Sequence, residues 1–99
     1  MIREQYLLTK EYKQASIELL FDNLSAMRAR VGMTQEELAN VIGVSRQTYY
    51  SIENGKREMT WPIFLAITFV FSSLKETTDM IKELKIYPID MFMKFNGYL

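Results

Sequence analysis

Neither cysteine nor histidine occurs among the 99 residues. Without cysteine there is no disulfide and no thiolate ligand, and without histidine the commonest neutral-pH general base and the other usual zinc ligand are missing. Cys-His and Ser-His nucleophile pairs are excluded with them. An enzyme would have to work with carboxylates, lysine or tyrosine alone, and no carboxylate pair stands at a revealing spacing. The chain therefore reads as a non-enzyme with no metal and no cofactor. An excess of one charge is also lacking: 12 basic residues face 12 acidic ones, which argues against a generic polyanion binder. The longest nearly apolar run, Trp61 to Phe71, is too short to span a bilayer as a helix. The opening Met1-Ile2-Arg3-Glu4 is not followed by the apolar core of a signal peptide, so a cytoplasmic location and no membrane partner are expected.

What is present is helical patterning with start and stop signals. The length fits one domain with a core of its own. Thr34 and Glu37 form a capping-box pattern, Leu38, Ala39 and Ile42 follow on one stripe, and Gly43 stops the segment. Val44 is an apolar plug, and Ser45 can cap a second helix starting at Arg46. With Ile52 inward, Ser45, Thr48 and Tyr49 fall on its side at 100° per residue. Gln47, Tyr50 and Asn54 fall opposite, with Arg46 and Ser51 on the flanks. Gly55 closes this helix, and Lys56 and Arg57 follow at once. The segment from Thr34 to Gly55 thus reads as a helix-turn-helix. Between Arg28 and Arg57 five basic residues face three acidic ones, so the small local surplus of positive charge coincides with this motif.

Ahead of it, Ile17, Leu20, Leu24, Met27 and Val31 give a 3-4-3-4 stripe ending at Gly32, and Met33 is expected beneath the next helix. Residues 1–16 read as an added helical arm, with a second stripe of Tyr6, Leu8, Tyr12, Ala15 and Leu19 and an uncertain join to the core helix. Beyond the motif, Thr60 is a cap for a helix with Trp61 and Pro62 in its first turn. That helix is apolar all round and needs burial all round, its second face covered by the arm, by the tail or by a second chain. Ser73 and Glu76 repeat the capping-box pattern before Leu74, Thr78, Ile81 and Leu84. Pro88 opens an apolar tail, residues 85–99, carrying Ile89, Met91, Phe92 and Phe95 and ended by Gly97. A tail so apolar should dock, since each buried Phe or Met contributes ~1.5–3 kcal/mol. One domain is expected, with a core bundle over residues 17–84 and the motif at 34–55.

Three blocks in register, M-T-Q-E-E-L-A, G-V-S-R-Q-T and I-E-N-G-K-R, resemble the phage-repressor-like (lambda-repressor-like, XRE-type) helix-turn-helix DNA-binding domains. The resemblance runs from about Leu24 to Leu84. It implies an all-α, five-helix bundle whose third helix, residues 46–54, enters the major groove of double-stranded DNA. It also implies a homodimer on a palindromic operator. By the same resemblance, Arg46, Gln47 and Ser51 match base-contacting positions. Gln35, Asn54, Lys56 and Arg57, together with Ser45, match phosphate contacts, and Arg28 and Glu53 match a buried ion pair. The chemistry agrees: Arg binds guanine O6 and N7 and Gln binds adenine N6 and N7 with paired bonds, and phosphate contacts set the register. Tyr50 is left between a thymine methyl, the sugar-phosphate wall and a purely covering role. Tyr49, at a position where the family often has a smaller aliphatic residue, is expected partly buried with its hydroxyl reaching solvent or a phosphate. The expectation is a transcriptional repressor; the alternative is a protein-interaction module, or an antitoxin-type protein that holds a protein partner with the same bundle.

Overall fold

Four of the helices begin in the same way. Thr9, Thr34, Ser45 and Thr60 each stand in extended backbone and accept the N–H three residues on, from Tyr12, Glu37, Thr48 and Ile63. An oxygen at that position satisfies one of the donors a first turn leaves without an intrahelical partner. The structure, a computed structural model, describes residues 1–86 and 89–97. After one 3₁₀ turn, Glu4–Tyr6, come α1 (Lys10–Val31), α2 (Gln35–Ile42), α3 (Arg46–Glu53), α4 (Trp61–Ser73), α5 (Thr78–Leu84) and α6 (Ile89–Phe95). All regular structure among the described residues is helical, and α1 to α5 form the expected bundle.

The core is assembled from one stripe of each element. Leu20, Leu24 and Met27 of α1 meet Leu38 and Ala39 of α2, Tyr49 and Ile52 of α3, and Phe64, Ile67 and Phe71 of α4. Ile81 of α5 and Ile86 close it, and Met33 and Val44 pack on it from the two turns. Each of these larger apolar side chains contributes ~1.5–3 kcal/mol by leaving water.

Two expectations are corrected. The first helix does not begin near Ile17: Thr9 caps it, and it runs unbroken from Lys10, so residues 10–16 belong to α1 and not to a separate arm. Nothing between Lys10 and Val31 lacks an N–H or favours a left-handed turn, so the helix continues back to its cap. Its buried stripe is the one through Leu20, Leu24 and Met27, while Ala15 and Leu19 of the other stripe face solvent. Second, Ser73 caps no helix. It is the last residue of α4, and its hydroxyl donates to Phe69 O at 2.7 Å. The chain turns extended one residue later, at Leu74, whose carbonyl accepts from Thr77 and Thr78. Within one chain, α4 is not covered all round. Phe64, Ile67, Thr68 and Phe71 are buried, but Phe69 is 63% exposed.

The start of α4 is covered from within the chain. The Trp61 ring stacks on Phe64 with centroids 4.5 Å apart, and Tyr12 lies 6.4 Å from it on α1. Lys13 Nζ sits 5.8 Å from the Trp61 centroid. The tail also docks here. Tyr12 OH donates to Asp90 at 2.6 Å, Lys94 lies over the Tyr12 ring, and Phe95 meets Tyr6 edge-on. Burial and donation to Asp90 raise the Tyr12 phenol well above its ordinary value. Pro88, read from the sequence as the start of the tail helix, lies outside the described residues.

Candidate nucleic-acid interface

The turn between α2 and α3 is fixed by backbone alone. Gly43 stands at φ 85°, its N–H donating to Ala39 and Asn40, and Val44 N–H donates to Ala39 at 3.0 Å. This closes the carbonyl end of α2, and only glycine adopts that left-handed position without a Cβ penalty. At the other end of α2 the Thr34 and Glu37 box is complete in both directions, and the bonds from Thr34 hold the Glu37 carboxyl below its ordinary value. Ser45 then starts α3, accepting from Thr48 N–H and donating to the Thr48 hydroxyl at 2.9 Å.

Two residues of α3, Tyr49 and Ile52, anchor it in the core. That leaves Arg46, Gln47 and Tyr50 in solvent, Tyr50 at 50% exposure, with Ser51 half-buried between faces. Past the helix, Asn54 uses Oδ1 to accept Lys56 N–H at 3.1 Å, so its side-chain amide donors stay available to an outside acceptor. Gly55 turns the chain at φ 81° and Lys56 points to solvent. Arg57 is drawn back: its N–H donates to Ser51 O at 3.0 Å and Nη1 to the Thr48 hydroxyl at 3.2 Å.

Three of the residues assigned to DNA line depressions, in two places. Arg46 and Gln35 line one open depression together with Arg28, Thr34 and Glu36, where the first turn of α2 meets the first turn of α3. Arg57 lies apart, lining a different depression with Gln14, Ile17, Glu18 and Phe21 of α1. The first depression thus combines the exposed Arg46 guanidinium and the Gln35 amide with the Glu36 carboxylate at a helix N-terminus.

Beneath this surface Glu53 collects donors from three elements. Arg28 Nε lies 2.9 Å from Oε1 and Nη2 lies 3.0 Å from Oε2, a two-pronged pair. Tyr49 OH donates to Oε1 at 2.8 Å, and Gln35 Nε2 donates to Oε2. Arg28 Nη1 also reaches Met33 O at 3.0 Å. Burial alone raises the Glu53 carboxyl, but the donors from Arg28, Gln35 and Tyr49 and the charge of Arg28 outweigh it, and the group lies below its ordinary value. The same pairing raises Arg28. Burial, and then donation to Glu53, raises Tyr49.

The expectation for Tyr49 is corrected. Its side chain is fully buried and its hydroxyl points at Glu53, not at solvent or a phosphate. The signal was present in the sequence, since Tyr49 and Glu53 are four apart on one helix and therefore neighbours on its surface. The bond from Gln35 had no such local signal, because eighteen residues separate it from Glu53.

Among the described residues no group of carboxylates is placed to hold a metal ion, and no helix is long and apolar enough to cross a membrane. The Helix-turn-helix family model matches residues 24–60. The chain is similar to an uncharacterised HTH-type transcriptional regulator of Archaeoglobus fulgidus, 44% identical over 46 residues, which cover 46% of this chain and 66% of that protein. It is also similar to the uncharacterised HTH-type transcriptional regulator YgzD of Bacillus subtilis, 34% identical over 62 residues, 63% of this chain and 94% of that one. No solved structure matches the chain with comparable significance. With α2, the glycine turn and α3 inside the matched segment, and nearly the whole length of one relative covered, the chain belongs to the XRE-type, lambda-repressor-like helix-turn-helix family.

Proposed function

We propose that this protein is a sequence-specific DNA-binding transcriptional regulator, a cytoplasmic repressor that binds a palindromic operator as a homodimer with α3 in the major groove. The observation that carries the reading is α3 itself. It is capped by Ser45, anchored by Tyr49 and Ile52, and presents Arg46, Gln47 and Tyr50 to solvent beside the first turn of α2. A major groove admits one such helix, and Arg and Gln are the side chains that read guanine and adenine edges with two bonds each. Arg46, Gln47 and Ser51 are assigned to bases, and Tyr50 to a thymine methyl or the adjoining sugar. Ser45, Gln35, Asn54 and Lys56 are assigned to phosphates. Arg57 joins them by releasing Thr48 or by bridging from it.

Selection of binding sites from random duplexes, read alongside the mass of the protein in solution, tests all of this together. The expected product is an inverted repeat with half-sites ~34–36 Å apart, bound by two chains. Arg46→Ala should relax base preference at one position per half-site, whereas Lys56→Ala should weaken all sequences alike and reduce the salt slope by about one unit. Equal losses without a change in preference would remove this division of labour.

A second reading, a module or antitoxin-type protein that holds another protein, is favoured by the exposed rings of Phe69 on α4 and Phe92 on α6. Apolar side chains left in water are common singly, so weight attaches to this reading only if a distinct protein co-purifies at fixed stoichiometry.

A further inference from the structure

The Glu53 carboxylate sits where α1, α2 and α3 meet, and its hydrogen-bonding capacity is filled. A carboxylate offers about four acceptor positions on its two oxygens. Oε1 takes Arg28 Nε and Tyr49 OH; Oε2 takes Arg28 Nη2 and Gln35 Nε2. The Arg28 prongs fix the carboxylate along one edge only, whereas Tyr49 and Gln35 reach the same two oxygens from α3 and from the first turn of α2. Gln35 is thereby held with one N–H on Glu53, and its second N–H is left for the depression it shares with Arg46. Tyr49 cannot touch a ligand, because no part of it is exposed.

We propose that Tyr49 is a positioning residue for DNA recognition: its buried hydroxyl, acting through Glu53, holds the Gln35 amide and the start of α2 in register with the reading helix α3. This rests on the DNA-binding reading above. Packing alone does not require the hydroxyl, since a phenyl ring fills the same space. What the hydroxyl adds is a second donor on Oε1, opposite in origin to the Gln35 donor on Oε2. Without it the carboxylate can rock about the Arg28 fork, and the Gln35 bond lengthens. The amide then no longer waits at a fixed place beside Arg46, and the cost appears when DNA requires both at once.

The test is Tyr49→Phe, with Ile81→Val as the control. Ile81 is buried on α5, away from Glu53, and its shortening lowers stability without touching the network. Both variants are measured well below their thermal midpoints, against the selected operator and against an unrelated duplex. In Tyr49→Phe, binding to the operator should fall about fivefold to tenfold, the scale of one ordinary hydrogen bond, and binding to the unrelated duplex should fall with it, because Gln35 is assigned to a phosphate. In the free protein the side-chain amide proton of Gln35 that is bonded to Glu53 should move upfield in the NMR spectrum. Ile81→Val should show neither effect. An unmoved Gln35 amide, an unchanged operator affinity, or the same affinity loss in Ile81→Val would each overturn the proposal. A wild-type chain that binds no duplex would sink the DNA reading and the positioning role with it. The Gln35 signals, recorded without DNA, separate that result from failure of the network itself.

Discussion

Replacing Arg28 by alanine removes three bonds at once, two to Glu53 and one to the Met33 carbonyl. Breaking a fully buried ion pair from one side costs ~3–5 kcal/mol, because the remaining charge stays out of water without its partner. Here the side chains are 21% and 11% exposed, and Gln35 and Tyr49 still donate to the orphaned carboxylate. Both facts reduce the penalty to ~2–3 kcal/mol, and the lost bond to Met33 adds ~1 kcal/mol. A total of ~3–4 kcal/mol corresponds to a thermal midpoint lowered by roughly 12–32 °C in a domain of this size. Urea unfolding followed by the helical circular dichroism signal at neutral pH measures it directly. The same titration in acid checks the cause. The native carboxyl of Glu53 lies below its ordinary value, so its contribution is complete above an unfolded value of about 4.3 and is lost as pH falls through the native one. Alanine at position 28 removes the main donor that holds the carboxyl down, so the gap between wild type and variant should narrow below about pH 4. A variant within ~0.5 kcal/mol of wild type at neutral pH, smaller than any value in the range above, would refute the reasoning. So would a gap that stays constant into acid.

Three further changes probe other parts of the fold. Thr34→Ala removes one half of the capping box and should lower stability by ~1 kcal/mol in the same urea titration, since the Glu37 N–H loses its acceptor while the backbone N–H of residue 34 keeps the Glu37 carboxylate. Gly43→Ala meets no atom within 4 Å, so any cost comes from φ 85° alone and should be ~1–2 kcal/mol, with the helical signal of the folded state unchanged. Thr68→Val should raise stability by ~1 kcal/mol, because the Thr68 hydroxyl is fully buried with no hydrogen-bond partner among the described residues; a loss in calorimetry would show that the hydroxyl is bonded after all.

Much of this architecture was legible in the residues because the signals are local. A capping oxygen acts on an N–H three residues away, and a stop glycine acts on its own φ angle, so Thr34, Gly43, Ser45 and Gly55 could be read without knowing what packs where. The same locality explains the errors. Ser73 and Glu76 have the spacing of a cap, but α4 runs through Ser73 because Phe71, one turn from Ile67 and two from Phe64, still has core to bury. For residues 10–16 the residues alone left the join to the core helix open. Thr9 nonetheless caps one continuous helix, since hydrogen bonding along the backbone does not depend on which face is buried.

The candidate interface divides along the same line. That Gln47 and Tyr50 face away from Ile52, with Arg46 on the flank, follows from 100° per residue and from the order of residues alone. The amino-acid sequence by itself determined the helices, their caps, the turn at Gly43 and the outward side chains of α3, because each depends on residues within about one helical turn. Only the tertiary structure decided that the Arg28–Glu53 pair also collects Gln35 and Tyr49, that Arg57 folds back on Thr48, and that the tail docks on Tyr12. Those contacts join residues far apart in the chain or choose one partner among several within reach, and the choice is made by how the helices pack.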